Sequence, residues 1–226
     1  FKNKPYLFLI YQMGKVGSSS IYRTLKKNNF FTIHTHSHEE AEYIIKKYRG
    51  KIYLITGIRE PLTRNISAFF QNINNKNNKY WYIGNKIELK KLNVGSLIKI
   101  FNERVDLHIR EIVAPWFDNF YKICKVKKED FISASNIYTF NKDNLEIIIY
   151  KLENFKDFEE YFFKRFSDIF PFNKFYQENL ASSKDYSNLY KEFKRLYFID
   201  NEKYQNLYSQ IDHISDYYDA AEIYNY

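Results

Sequence analysis

Tyr6-Leu7-Phe8-Leu9-Ile10-Tyr11-Gln12-Met13-Gly14-Lys15-Val16-Gly17-Ser18-Ser19-Ser20-Ile21-Tyr22-Arg23-Thr24-Leu25 is the stretch on which the reading of this chain turns. Its first six residues are an unbroken apolar run of strand length. Gln12 to Gly17 then set two glycines around a lysine, and Ser18 to Ser20 have the chemistry of helix N-caps. Ile21 and Leu25 continue at helical spacing to about Lys27. Strand, loop and helix follow in that order.

The pattern repeats outward. Phe30 to His34 reads as a second strand, and Glu39 to Tyr48 as a helix closed by Gly50. Ile52 to Thr56 is a third strand, and Pro61 opens a helix bearing Ile66, Phe69 and Phe70. Strands alternating with helices predict an α/β fold with a parallel sheet flanked by helices, its ligand site in the loops after the strands. The Asn-rich stretch Gln71 to Lys79 reads as a loop bordering a substrate opening, and Leu97 to Lys125 as helix. Asn136 to Phe140 and Leu145 to Lys151 read as two further strands, the second buried. Phe158 to Phe166, Tyr186 to Phe198 and Glu202 to Tyr217 read as a helical C-terminal part. Residues 1–226 are expected to form one domain, with no repeat or dividing linker.

Composition removes whole classes. In 226 residues, 45% are hydrophobic and 20% aromatic, far too many for intrinsic disorder. One cysteine, Cys124, excludes an internal disulfide and reads as a buried apolar residue in a reducing, cytoplasmic setting. The apolar run at Tyr6 to Tyr11 is far short of the ~20 residues that span a bilayer. The chain begins at Phe1, which leaves an upstream anchor or signal segment open. The net charge of +8 comes from scattered lysines rather than a basic cluster, so nucleic acid is not expected as a partner.

The glycine loop is suited to an anion. Glycines let backbone approach a phosphate, the first N–H groups of a helix point at it, and hydroxyls and an ammonium complete the cage. It is not a Walker A loop, because Lys15 precedes Gly17 rather than following it, and it does not match Gly-x-Gly-x-x-Gly. A glycine turn with a serine cap is the purely structural alternative. Arg59, at the end of the third strand, offers a planar fork for a phosphate dianion, and Ser67 a hydroxyl. Arg64 reads as a surface or salt-bridging residue, and Glu60 as a salt-bridge partner.

At these residues the sequence resembles the sulfotransferases. Gly14-Lys15-Val16-Gly17-Ser18-Ser19-Ser20 is similar to their 5′-phosphosulfate loop. Arg59-Glu60-Pro61-Leu62-Thr63-Arg64-Asn65-Ile66-Ser67-Ala68-Phe69 is similar to their 3′-phosphate motif, Arg-x-Pro-x-x-Arg-x-x-Ser-x-[Phe/Tyr]. The wording is nearest to Golgi-type carbohydrate sulfotransferases and bacterial capsular polysaccharide synthesis proteins. The likeness is sharp over about residues 6 to 70. Beyond, Ile148-Ile149-Tyr150-Lys151-Leu152-Glu153-Asn154-Phe155 resembles their strand ending in Glu-Asp-Leu, with Asn154 where Asp is usual.

The resemblance implies a P-loop-like sheet and transfer of a sulfuryl group from 3′-phosphoadenosine 5′-phosphosulfate to a hydroxyl of a glycan or similar acceptor, without a metal. It implies that Gly14, Lys15, Val16, Gly17, Ser18, Ser19 and Ser20 hold the 5′ end, that Lys15 stabilises the leaving phosphate, and that Arg59 and Ser67 hold the 3′-phosphate. His34 and His36 are the candidate bases, with His36 the nearer to the loop. Two readings compete for His34, His36 and His38: a metal site, which lacks accompanying Cys or carboxylates at zinc spacing, and a polar helix cap with Ser37 before Glu39 and Glu40. His108 reads as packed or surface-lying. Tyr80-Trp81-Tyr82 admits stacking on a ligand, with core packing favoured, and Trp116-Phe117 reads as core. A P-loop kinase or NTPase, and a non-catalytic polysaccharide-assembly protein on the same fold, are the alternative functions.

Overall fold

A computed structural model of the chain describes residues 4–84, 92–176, 186–197 and 201–218. They divide into two compact units, one within Phe1–Arg59 and Asn119–Asn179, the other within Glu60–Asp118 and Leu180–Tyr226.

The first unit holds a six-stranded sheet. Strand β1 (Tyr6–Tyr11) leads through the glycine loop into α1 (Ser18–Lys27), then β2 (Thr32–Thr35), α2 (His38–Lys47) and β3 (Lys51–Ile58). Strands β4 (Ile132–Ala134), β5 (Ile137–Lys142) and β6 (Leu145–Lys151) follow later in the chain. Their order is β2-β1-β3-β6-β5-β4. The first four are parallel, and β5 and β4 are antiparallel. This corrects the wholly parallel expectation. Only Asp143 and Asn144 separate β5 from β6, a connection too short for a parallel crossover, and Asp143 takes a left-handed φ of 53° to make the turn.

From β1 the chain goes to β2 on one side and then to β3 on the other. The crevice beyond the carboxyl ends of β1 and β3 is therefore the topological switch point, where open α/β sheets bind ligands.

Alternation sorts the side chains. Phe8 and Ile10 join Ile21 and Leu25 of α1, and Phe158 and Phe162 of the helix Phe155–Arg165, in one buried cluster. Tyr11, on the opposite parity of β1, stacks on Phe120 at 6.2 Å. All seven residues of β6 are buried, its Glu146 carboxylate receiving both arms of Arg165 at 3.1 and 3.0 Å. Cys124 is buried and free, and burial pushes its thiol pKa up.

Several boundaries differ from the sequence reading. Helix α1 is capped by Gly17 at φ 79°, and Ser18 to Ser20 are its first turn rather than its cap. Helix α2 ends at Lys47 with Tyr48 extended, so Gly50 does not close it. Ser37 does cap α2, accepting the Glu40 N–H at 3.1 Å. The helix expected at Phe158 begins at Phe155. Strand β4 went unread because its three residues are exposed and carry no alternation.

The second unit is helical. Its first helix, α3 (Pro61–Asn72), begins with Pro61 at N1. Glu60 is its N-cap, fully buried, its carboxylate accepting the N–H groups of Leu62 and Thr63 at 2.7 Å and the Tyr208 hydroxyl. The long helix read from Leu97 is two, α4 (Val94–His108) and α5 (Ala114–Cys124), joined by a π-helical turn at Ile109–Val113, and α5 continues into the first unit. With the helix Phe155–Arg165 as α6, α7 (Ser187–Leu196) and α8 (Asn201–Ser209) complete the elements; α8 stops eight residues short of Tyr217. The expected end of α7 at Phe198 lies outside the described residues.

Trp81 is fully buried against Phe69, Phe101 and His108, so packing is its role. Trp116 and Phe117 are core, as read. The asparagines before Trp81 build turns: Asn78 accepts the N–H groups of Tyr80 and Trp81 at 3.1 and 2.8 Å. Arg64 is 4% exposed, which corrects its surface reading; its guanidinium donates to Asn65 at 3.1 Å. No described helix is long and apolar enough to cross a membrane.

Candidate functional site

The carboxyl edge of the parallel strands gathers most of the residues singled out in the sequence. Leaving β1, the chain turns through Gly14, Lys15 and Gly17 at φ 87°, 66° and 79°. Glycine adopts this region freely, whereas Lys15 does so against its Cβ.

Three contacts from outside the loop hold that shape. Tyr150 of β6 donates its buried hydroxyl to the Val16 carbonyl at 2.7 Å. Arg59, half-buried just past β3, reaches the Lys15 carbonyl at 3.4 Å through Nη1. The Gln12 side-chain oxygen accepts the Gly14 N–H. Two glycines make the packing possible. A Cβ on Gly17 would lie 2.8 Å from Leu152, and one on Gly57 would meet the Tyr150 ring at 2.6 Å and Val16 at 2.8 Å. A glycine inside a strand often marks such an approach, and Gly57 was the available signal. Tyr150 and Gln12 gave no signal, since a buried tyrosine and one amide after an apolar run are ordinary in sequence.

The histidines divide. His34 lies in β2 and His36 just beyond it, their rings 5.3 Å apart. Both meet Gln12: its Nε2 is 3.1 Å from His34 Nε2, 3.1 Å from His36 Nδ1 and 3.4 Å from His36 Nε2. His34 Nε2 is also 3.1 Å from the Ser18 hydroxyl, which ties β2 to the first turn of α1. Burial, then the neighbouring His36, lowers the His34 pKa. His38 turns away and bonds the Tyr11 hydroxyl. Burial lowers the His38 pKa and raises that of Tyr11, so the pair stays neutral near pH 7. The three histidines thus do not converge, and among the described residues no group of three or more His, Cys, Asp or Glu is gathered for a metal.

The donor set around the loop is cationic and hydroxylic. Lys15, Arg59, Ser18, Ser19 and Ser20 and the N-terminus of α1 are all suited to an anion, and Gln12 to Ser20 carry no carboxylate. Ser20 N–H is engaged with the Gly17 carbonyl at 3.3 Å. Ser67 belongs to the second unit, half-buried on α3. His108, also in the second unit, is packed as expected, 4.8 Å from the Trp81 ring. No family model, no curated protein and no solved structure matches this chain.

Proposed function

We propose that the protein transfers a sulfuryl group from 3′-phosphoadenosine 5′-phosphosulfate to a hydroxyl of a glycan or similar acceptor, in polysaccharide biosynthesis. The observation that carries the proposal is the left-handed loop Gly14 to Gly17 at the β1/β3 switch point, with Arg59 on one side and the His34/His36 pair on the other. The donor set fits a nucleotide bearing phosphate and sulfate: it is all cation, hydroxyl and helix N-terminus.

When bound, the nucleotide supplies the activated sulfuryl group. The loop N–H groups and the hydroxyls of Ser18, Ser19 and Ser20 hold its 5′ end. Lys15 offsets the negative charge that grows on the departing phosphate oxygen as the sulfur–oxygen bond breaks. Arg59 takes the 3′-phosphate. His36 takes the proton of the acceptor hydroxyl as its oxygen bonds to sulfur. His36 is chosen over His34 because His34 Nε2 is already engaged by the Gln12 amide and the Ser18 hydroxyl, each at 3.1 Å.

The test is thermal unfolding with 3′-phosphoadenosine 5′-phosphate against ATP with magnesium. A ligand at 100 times its dissociation constant stabilises by about 2.7 kcal/mol, so the bisphosphate is expected to raise the midpoint by several degrees. A magnesium-dependent shift with ATP and none with the bisphosphate overturns the reading in favour of a nucleoside triphosphate enzyme.

A further inference from the structure

Gln12 is 2% exposed and spends every polar atom of its side chain on neighbours. Its Oε1 accepts the Gly14 N–H, which fixes which end of the amide is oxygen. The Nε2 end, with two hydrogens and no lone pair to offer, therefore faces the two imidazoles. A ring nitrogen directed at that group must accept, so the His34 proton sits on Nδ1. For His36 the same amide meets both ring nitrogens, but Nδ1 also faces the Gln12 backbone carbonyl at 3.0 Å, and a carbonyl only accepts. An Nδ1–H there opposes the amide donor at 3.1 Å and a bare Nδ1 opposes the carbonyl, so the contacts single out a tautomer for His34 alone, whose Nε2 accepts an amide hydrogen.

We infer that Gln12 is a positioning residue whose amide sets His34 as the Nδ1–H tautomer, with Nε2 as the acceptor, and couples that choice to the glycine loop through Gly14. Its catalytic meaning rests on the sulfuryl-transfer reading; the tautomer does not. Loop and His34 then form one hydrogen-bonded unit, so a loop distorted at Gly14 also releases the amide that orients this ring.

The experiment is long-range proton–nitrogen correlation on histidine-labelled full-length protein at about pH 8, above the ordinary histidine pKa of about 6.5. Wild type is expected to show an Nδ1–H pattern for His34. Gln12→Glu keeps an acceptor for Gly14 but removes the donor, and is expected to move the His34 proton to Nε2. An Nε2–H pattern for His34 in wild type, or a Gln12→Glu protein with an unchanged His34 tautomer, overturns the inference; the wild-type spectrum decides even if the variant fails to fold. In the transfer assay Gln12→Glu is expected to lower kcat at least about tenfold with the nucleotide KM unchanged. Native tautomers with no bisphosphate-induced thermal shift would leave Gln12's role standing and remove the sulfotransferase reading instead.

Discussion

The Tyr150 hydroxyl, on the fourth strand of the sheet, donates to the carbonyl of Val16 at 2.7 Å from a fully buried position. Burial holds the phenol neutral and therefore a donor. Tyr150→Phe removes the donor and strands a carbonyl, which is expected to cost about 1–3 kcal/mol. Urea denaturation measures this, and an unchanged midpoint would show that the loop does not depend on the bond.

Gly57 and Gly17 separate two kinds of glycine requirement. Gly57→Ala drives a methyl group into Tyr150 and Val16, and is expected to cost about 1–3 kcal/mol by overpacking. Gly17→Ala meets Leu152, an end that can move, but must also hold φ 79°, which costs about 1–2 kcal/mol. Combining Gly57→Ala with Tyr150→Ala should recover part of the first loss, whereas combining Gly17→Ala with Leu152→Ala should not fully rescue the second. Denaturation of the two double variants checks this.

Lys15→Ala and Arg59→Ala are each expected to abolish the thermal shift induced by 3′-phosphoadenosine 5′-phosphate. His36→Ala is expected to keep that shift and lose turnover. A His36→Ala protein with wild-type turnover would move the base to another residue.

His108 makes stability depend on pH. Burial first, and Arg64 second, lower its pKa to about 3 from an ordinary value of about 6.5. The unfolded chain therefore binds the proton more readily, so the contribution is fully present above about pH 6.5 and falls as pH drops toward 3. The slope is about 1.4 kcal/mol per pH unit, or about 2 kcal/mol between pH 6.5 and 5. His108→Phe should flatten the profile over that interval; an unchanged slope in denaturant titrations would place the sensitivity elsewhere.

The alternation of apolar runs and helical spacing up to Phe70 made the parallel half of the sheet legible, because each of those elements buries a periodic face. The antiparallel end was only half legible: Leu145 to Lys151 announced a buried strand, but its direction depended on the two-residue turn at Asp143, and Ile132–Ala134 bury nothing. At the site, Lys15, Arg59, His34 and His36 were legible as chemical types. Gln12, Gly57 and Tyr150 were not, since their work lies in distances to residues far along the chain. The cap that Glu60 gives α3 was not legible, because capping by glutamate before proline needs the backbone direction that only the fold supplies.

The three anchors described for the glycine loop grip its main chain: Arg59 holds the carbonyl of Lys15, Tyr150 that of Val16, and Gln12 the amide of Gly14. None of these three bonds uses the Lys15 ammonium, so Lys15→Asn, whose new residue tolerates the left-handed turn, keeps them all. Under the sulfuryl-transfer proposal that protein is expected to be a folded decoy that competes for acceptor while passing nothing on to it.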